Sequence, residues 1–460
     1  MLLISSMRGT IRKFFSDERT YIRGAAIVAA GGLISKLLGA LYRIPLTNII
    51  GGEGMGIYQM VYPLYCILLT VSSSGIPSGM ARLIASGRAR GAERQAFVLY
   101  GLIGLAGAGV MFALSAPLAA VQGEPAVELC CKLLSPAVFF VSVLAVVRGY
   151  FQGRREMLPT ALTEICEQLL KVTAGVAFAL YFKNNMPLAT ACTLLAVTVS
   201  EALSSLFALI MYRGESAHFR PLYSPRPTGY RQILRYTATV TLSAVAMPLS
   251  QLVESIVAVH LLRASAENAT ALYGIFSGCA VTMVSLPVSL TYGLAVAIIP
   301  RIAPLAAEGR EEEARTAAVK ASLITLAISI PCAVALYVFA PLAVSVIFRS
   351  LGESQSRVLI NLVRIMSVSA STLAISQTAS ACLTALGRPL KAAATQWLTC
   401  ILRVLLTAVL IKYTRLSVSG AAIAANIAYF VAAALNLWYI IQNGKNRPDL
   451  RRSGVRRRSI

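Results

Sequence analysis

Residues 24–48 read GAAIVAAGGLISKLLGALYRIPLTN, an apolar stretch long enough to cross a bilayer that nevertheless contains Lys36 and Arg43. About 20 residues span the hydrocarbon core, and a charged side chain at its centre costs about 2.5–3.5 kcal/mol on insertion scales. Similar stretches recur along the 460 residues, of which 57% are hydrophobic and 13% charged. The sequence therefore predicts an all-α integral membrane protein with charged side chains in its interior.

Twelve such stretches predict a bundle of two six-helix halves. We place the spans at residues 24–48, 57–81, 95–121, 127–150, 158–182, 187–212, 231–262, 270–299, 318–347, 358–385, 390–412 and 418–442. The longest loop, residues 213–230, is rich in Pro and Arg, so we expect a cytoplasmic linker there. It would join a first half (24–212) to a second half (231–442), with a cytoplasmic segment (1–23) before them and a basic cytoplasmic tail (443–460) after them.

The net charge of +23 could suggest a nucleic-acid partner, but the basic residues follow a membrane topology. Assigning alternate loops and adjoining helix ends to the cytoplasm places 30 of the 42 Lys and Arg residues there and 7 on the opposite side. This asymmetry predicts that both termini are cytoplasmic. We expect contacts with membrane lipids and no nucleic-acid partner.

The sequence contains no recognisable metal-binding, phosphate-binding or catalytic motif. The nine cysteines include no CxxC pair, and His218 and His260 are isolated from one another, so we expect no metal site and no cofactor. Without a phosphate-binding glycine loop, a catalytic motif or a soluble domain, the chain is predicted to be a secondary transporter and not an enzyme. The glycine-rich segment GGEGMG at residues 51–56 is interpreted as a tight outer turn.

A weak internal repeat relates the two halves. LPTALTEICEQLLKV (158–172) and LKAAATQWLTCILRV (390–404) align without gaps, which places Lys171 opposite Arg403. An offset of six spans keeps both repeats in the same orientation, so the halves should be related by an axis along the membrane normal. A substrate would then bind between them.

The charged residues within the spans are the candidate site. Lys36 and Arg43 are seven residues apart, two helical turns, so they share a face and either point into a cavity or extend towards an interface. Glu164, Glu167 and Lys171 also form one stripe, and the favourable spacing of Glu167 and Lys171 predicts an internal ion pair.

Glu254 has no basic neighbour three or four residues away. A lone carboxylate in a span indicates either a Na⁺ or H⁺ site or an interhelical partner such as Arg364 or Arg403. Both alternatives remain open from the sequence.

Residues 29–85 and 285–309 resemble the stage V sporulation protein B-like polysaccharide and lipid-linked oligosaccharide flippases of the multidrug/oligosaccharidyl-lipid/polysaccharide exporter superfamily. The resemblance implies a V-shaped, MATE-like fold of two six-helix lobes in the bacterial cytoplasmic membrane. It also implies an undecaprenyl diphosphate-linked glycan as cargo, with roles in polysaccharide or peptidoglycan synthesis or in sporulation. By this resemblance Lys36 and Arg43 would bind the diphosphate, with Arg364 as a further candidate, and Glu254 would serve cation coupling.

Two features depart from the related lipid II flippases. Thr282 or a neighbour stands where those proteins carry a basic residue, and this chain has twelve predicted spans where they have fourteen. Lipid II as the specific cargo therefore stays open. The alternatives are a multidrug/cation antiporter of the same superfamily and a non-transporting membrane protein of envelope or spore assembly. We expect a monomer.

Overall fold

The computed structural model describes residues 2–77, 80, 92–154, 156–216, 241–242, 244–264 and 266–442. Every regular element in these residues is a helix. The all-α prediction is therefore confirmed over the described part of the chain.

The first half is built around one long helical element. Its elements are α1 (Leu2–Leu69), a π-turn (Thr70–Ser74), α2 (Ala92–Ala113), α3 (Ser115–Gln122), α4 (Ala126–Gly153), α5 (Leu158–Tyr181) and α6 (Met186–Ser216). Gly51, with φ 69° and ψ −175°, breaks α1 into a first arm (2–50) and a second arm (52–69). The left-handed φ favours glycine because it has no Cβ. The two arms carry the first two predicted spans.

Residues 2–23, predicted as a separate polar segment, have helical backbone continuous with the first arm. Proline first appears at Pro45, so no residue in the preceding segment forces the helix to stop. The predicted linker begins within α6, which continues to Ser216. The rest of the linker and the predicted tail lie outside the described residues.

The second half repeats this order of helices. Its elements are α7 (Ala246–Arg263), α8 (Ala269–Gly274), a second π-turn (Ile275–Ala280), α9 (Val281–Ala307), α10 (Glu311–Val338), α11 (Ala340–Ile347), α12 (Glu353–Ala385), α13 (Pro389–Tyr413) and α14 (Val418–Gln442). The equivalent helices α5 and α13 both begin with a proline in their first turn, where a missing N–H leaves no hydrogen bond unmade.

Nine helices in the described part of the chain are long and apolar enough to cross a membrane. α5 and α7 do not belong to these nine helices. α5 carries three charged residues, Glu164, Glu167 and Lys171, which lower its hydrophobicity. The two arms of α1 count as one of the nine, because they share the apolar stretch Leu37–Ser73. With these differences, each of the twelve predicted spans coincides with helical structure over its described residues.

The two halves pack in the same way. In the first half α2 packs on α4, α4 on α6, α6 on α5, and α5 on α1. In the second half α10 packs on α12, α12 on α14, α14 on α13, and α13 on α7. The third span of each half also ends in an eight-residue helix, α3 and α11. This correspondence agrees with the internal repeat seen in the sequence.

The halves meet through α1, which packs against α7, α8, α9 and the second π-turn. A Cβ on Gly56 would lie 2.1 Å from the carbonyl oxygen of Thr270, and one on Gly274 would lie 2.1 Å from that of Gly52. Small residues allow membrane helices to approach this closely. The GGEGMG segment, interpreted from the sequence only as a turn, is thus also a contact surface between the halves.

Polar contacts reinforce this junction, which we call the Gly51 end of the bundle. Asn48 Nδ2 donates to the carbonyl oxygen of Ile347 at 2.7 Å, and Ser350 Oγ donates to Asn48 Oδ1 at 3.1 Å. Gln122 Nε2 donates to Ser255 Oγ at 3.1 Å. The halves are therefore closed against each other at this end.

Candidate functional site

A cavity of about 450 Å³ lies between the halves. It is formed by α1 and α5 of the first half and by α9 of the second. The lining side chains that carry positive charge or hydroxyl groups are Arg43, Lys171, Ser35, Tyr42, Tyr58, Tyr62, Thr282, Ser285 and Ser289. None of the described residues that line it is acidic. The cavity therefore presents cations and hydroxyl groups, a combination suited to an anion.

Arg43 extends from the first arm of α1 to the second half of the protein. Its Nη1 donates to Thr282 Oγ1 at 3.4 Å, a long hydrogen bond, while the Thr282 hydroxyl donates to the carbonyl oxygen of Gly278. No carboxylate of the described residues lies within ion-pair distance of Arg43. Its remaining N–H groups are therefore available to a ligand in the cavity.

Lys171 is the second cation of the cavity, and its placement corrects the sequence prediction. The predicted Glu167–Lys171 ion pair is not formed. Glu167 Oε2 instead accepts from Arg148 Nη2 at 3.0 Å, and Arg148 Nε donates to Thr163 Oγ1 at 3.1 Å. Arg148 thus reaches from α4 to two side chains of α5, and no ion-pair partner of Lys171 is found among the described residues.

Lys36 lies two turns before Arg43 on the first arm of α1, as predicted, but its side chain lies outside the described part of the structure. Glu164, on α5, has its Oε2 atom buried without a hydrogen-bond partner among the described residues. A Cβ on Gly32 would lie 3.8 Å from that same oxygen, so Glu164 faces the first arm of α1. It is not among the residues that line the cavity.

Glu254 forms a buried ion pair with Arg403 in the second half. Arg403 Nε donates to Glu254 Oε1 at 2.9 Å and Nη2 lies 2.7 Å from Oε2, so the pair is bidentate. Arg403 Nη1 also donates to the Tyr429 hydroxyl at 2.7 Å. The side chains of Arg403 and Glu254 are 8% and 2% exposed. Of the alternatives left open by the sequence, the structure shows the interhelical partner, which joins α7, α13 and α14.

Arg364 lies away from both the ion pair and the cavity. It is exposed on α12, with its guanidinium carbon 5.8 Å from the centre of the Tyr337 ring on α10. The sequence did not indicate which face of α12 Arg364 would occupy. In the structure, Arg364 does not line the cavity that contains Arg43.

A second cavity of about 460 Å³ lies within the second half, between α7, α12, α13 and α14. Its polar lining residues are uncharged: Ser376, Gln377, Ser380, Thr384, Gln396, Thr399 and Tyr429. Among the described residues, Gln396 Nε2 contacts only sulfur atoms, Met247 Sδ at 3.8 Å and Cys400 Sγ at 3.6 Å. Sulfur is a weak acceptor, so this amide keeps its capacity to bind another polar group.

Comparison with known proteins identifies the family. Residues 21–306 match the model of a family described as "Polysaccharide biosynthesis protein". The chain belongs to this family. The match covers the whole first half and continues into the second half as far as α9, so it includes every helix that forms the cation-lined cavity.

Two proteins of Bacillus subtilis (strain 168) resemble the chain at low sequence identity. Stage V sporulation protein B is 26% identical over 314 residues, which are 64% of this chain and 60% of that protein. Lipid II flippase MurJ is 23% identical over 321 residues, 61% of this chain and 57% of that protein. The matched segments thus span less than two thirds of these relatives' own lengths. These similarities confirm the flippase-family resemblance predicted from residues 29–85.

Solved structures confirm the fold. A multidrug resistance MATE family transporter of the MOP superfamily in an inward-facing conformation superposes with a TM-score of 0.72 at 18% identity, covering 91% of this chain and 98% of that one. The outward-facing conformation gives a TM-score of 0.67 at 18% identity, covering 91% and 95%. The MATE-like architecture expected from the sequence is therefore present.

Proposed function

We propose that this protein is a flippase that moves an undecaprenyl diphosphate-linked oligosaccharide or peptidoglycan precursor across the bacterial cytoplasmic membrane by alternating access. The observation that carries the proposal is the cavity in which Arg43 and Lys171 are both without an acidic partner among the described residues. The family description and the names of two relatives support the same class of cargo.

A diphosphate suits this cavity on chemical grounds. Charge-assisted hydrogen bonds from guanidinium and ammonium groups to phosphate oxygens are about twice as strong as neutral ones. The Ser35 hydroxyl lines the same space, has no hydrogen-bond partner among the described residues and can add a neutral donor. Lys36, on the same helix face as Arg43, would supply a third cation. Thr282 or a neighbour stands where lipid II flippases carry a basic residue, so we propose that Lys171 supplies positive charge from the opposite wall.

The glycan would occupy the second cavity. Sugars offer many hydroxyl groups and no fixed charge, and the amide and hydroxyl groups of Gln377, Ser380 and Gln396 match that chemistry. The two cavities would therefore divide the cargo between its charged and uncharged parts.

The rival functions fit these observations less well. A cation antiporter requires acidic side chains where its substrate binds, whereas the described lining of the cavity between the halves carries only basic ionisable side chains apart from tyrosines. A non-transporting scaffold would have no use for two cations held in a membrane without acidic partners, because such charges are costly there.

The direction of access follows from the predicted topology. If the termini are cytoplasmic, as the distribution of Lys and Arg predicts, the Gly51 end faces outward. The contacts of Asn48 with Ile347 and Ser350 would then close the protein to the outside. Cargo would enter this state from the cytoplasmic side.

Cation coupling is part of the proposal, but Glu254 is a poor site for it in this conformation. A Na⁺ or H⁺ would have to compete with the Arg403 guanidinium, which already contacts both carboxylate oxygens. Glu254 would bind a coupling cation only in a state in which Arg403 moves away.

Native mass spectrometry of gently purified protein tests the proposal. We expect a co-purifying polyprenyl diphosphate glycan in the wild type, and its loss in the Arg43→Ala/Lys171→Ala variant. Arg364→Ala is the matched control, because it removes a cation outside the cavity and should leave the lipid bound. Equal amounts of lipid in all three proteins, or no lipid alongside binding of organic cations, would contradict the proposal.

A further inference from the structure

Glu201 is a buried carboxyl group that the proposed cargo site does not use. It lies on α6 and is only 4% exposed, and its two carboxyl oxygen atoms have different surroundings. Tyr65 OH lies 3.3 Å from Oε1, whereas Oε2 is buried and has no hydrogen-bond partner among the described residues. An ionised carboxylate in such a position would leave one charged oxygen without compensation.

The groups around Glu201 do not provide that compensation. Among the described residues, Tyr65 from the second arm of α1 hydrogen-bonds to it, and the charges of Glu167 and Lys171 from α5 and of Arg148 from α4 act on it electrostatically. Arg148 is already bound to Glu167 at 3.0 Å, and Lys171 lines the cavity between the halves. Burial of an unpaired charge is strongly unfavourable, and a carboxyl group in this situation binds a proton instead.

Three tyrosines connect Glu201 to the cavity. Tyr58, Tyr62 and Tyr65 lie on one face of the second arm of α1, which we call the tyrosine ladder. The ring centres of Tyr65 and Tyr62 are 5.6 Å apart, and those of Tyr62 and Tyr58 are 5.2 Å apart and stacked. Tyr62 and Tyr58 line the cavity that contains Arg43 and Lys171.

We propose that Glu201 is a proton-binding site and that its protonation is coupled to anion binding in the cavity between the halves. The first part stands independently of the proposed function, and the second rests on it. When Glu201 loses its proton to solvent, the new negative charge attracts Lys171 and opposes an anion in the cavity. When Glu201 is protonated, Lys171 remains available to the anion.

The sign of this coupling follows from charge, because an ionised carboxylate repels an anion and a neutral carboxyl group does not, and thermodynamic linkage makes the effect reciprocal. Whatever the protonation of Glu201 does to the affinity for the anion, anion binding does equally to the affinity for the proton. Anion affinity should therefore be highest at low pH and fall as pH rises through the titration of Glu201. The tyrosine ladder would hold Glu201 and the cavity wall in a fixed relation.

Infrared spectroscopy of the full chain in lipid nanodiscs tests the proton site without requiring transport. At neutral pH we expect the C=O stretch of a protonated carboxyl group in the wild type and its loss in Glu201→Gln. Glu128→Gln is the control, because Glu128 is partly exposed and paired with Lys132 at 2.6 Å. Tyr65→Phe removes the hydroxyl group that contacts Glu201 but keeps the carboxyl group, so it should shift the band without removing it. A wild type without the band, or a band unchanged in Glu201→Gln and Tyr65→Phe, would overturn the proton site.

Binding of inorganic sulfate, whose charge is constant from pH 5 to 9, tests the coupling. We expect the wild-type affinity to fall several-fold as pH rises and the affinity of Glu201→Gln to stay nearly constant. An identical pH dependence in both proteins would overturn the coupling. If the infrared band behaves as expected but neither protein binds sulfate, the proton site stands, while the coupling and the anion site of the proposed function both fail.

Discussion

Lys171 and Arg403 occupy equivalent positions on α5 and α13, but they use their charges differently. Arg403 is bound on both sides of its guanidinium, by Glu254 and by the Tyr429 hydroxyl. Lys171 faces the cavity between the halves and has no acidic partner among the described residues. One position of the repeat thus stabilises the second half internally, while the other provides charge to the proposed cargo site.

Replacing Lys171 with Ala should weaken cargo binding without loss of the folded protein. A hydrogen bond to a charged group contributes about 1.5–3 kcal/mol, which corresponds to about a 10- to 100-fold loss of affinity. Titration of purified protein with a polyprenyl diphosphate sugar measures this change. Lys183→Ala, outside the cavity, is the control, and equal affinities of the two variants would show that Lys171 does not contact the cargo.

Breaking the Glu254–Arg403 pair should destabilise the protein. Removal of one partner leaves a buried charge, which costs about 3–5 kcal/mol, whereas replacing both with apolar residues costs much less. We therefore expect Glu254→Gln to lower the thermal unfolding temperature more than Glu254→Leu/Arg403→Met. Na⁺-dependent stabilisation of the wild type that disappears in Glu254→Gln would instead identify Glu254 as a cation site.

Replacing Gly56 with Leu should open the Gly51 end. No side chain fits at this position, because a Cβ would lie 2.1 Å from the carbonyl oxygen of Thr270. Gly101→Leu is a matched control, since a Cβ there meets no atom within 4 Å. Hydrogen–deuterium exchange of residues 48–56 should increase in Gly56→Leu and not in Gly101→Leu. Unchanged exchange in both would argue against close packing of the halves at this end.

Replacing Gln396 with Ala should affect the glycan and not the diphosphate. Gln396 lines the uncharged cavity and has only sulfur contacts for its amide nitrogen. The variant should bind undecaprenyl diphosphate like the wild type but bind the glycan-linked form more weakly. If both ligands lose affinity equally, the division of the cargo between the two cavities is incorrect.

Most of the spans could be predicted because crossing a membrane requires about 20 predominantly apolar residues. The repeat could be predicted because residues 158–172 and 390–404 align without gaps. Helical spacing placed Arg43 on one face with Lys36 but left both a cavity and an interface open for it, and the structure shows Arg43 lining the cavity. Spacing could not place Lys171, because Glu167 is well spaced to pair with it and the sequence of this helix shows no other partner for Glu167. The actual partner, Arg148, lies on another helix, so its proximity to Glu167 leaves no pattern in the sequence of α5.

The contact surface formed by residues 51–56 could not be predicted from the sequence either. Glycines indicate a turn in sequence, and Gly51 does form one, but Gly52 and Gly56 serve close packing against α8. Glu201 gave no signal because the residues around it come from α1, α4 and α5. A polar contact between distant segments leaves no periodic pattern.

Transport in proteoliposomes tests the central claim most directly. A fluorescent polyprenyl diphosphate sugar placed in one leaflet should cross at the wild-type rate with Arg364→Ala and at the rate of protein-free vesicles with Arg43→Ala/Lys171→Ala. Wild-type transport by the double variant, reconstituted at equal amount, would contradict the assignment of the cation-lined cavity as the cargo site.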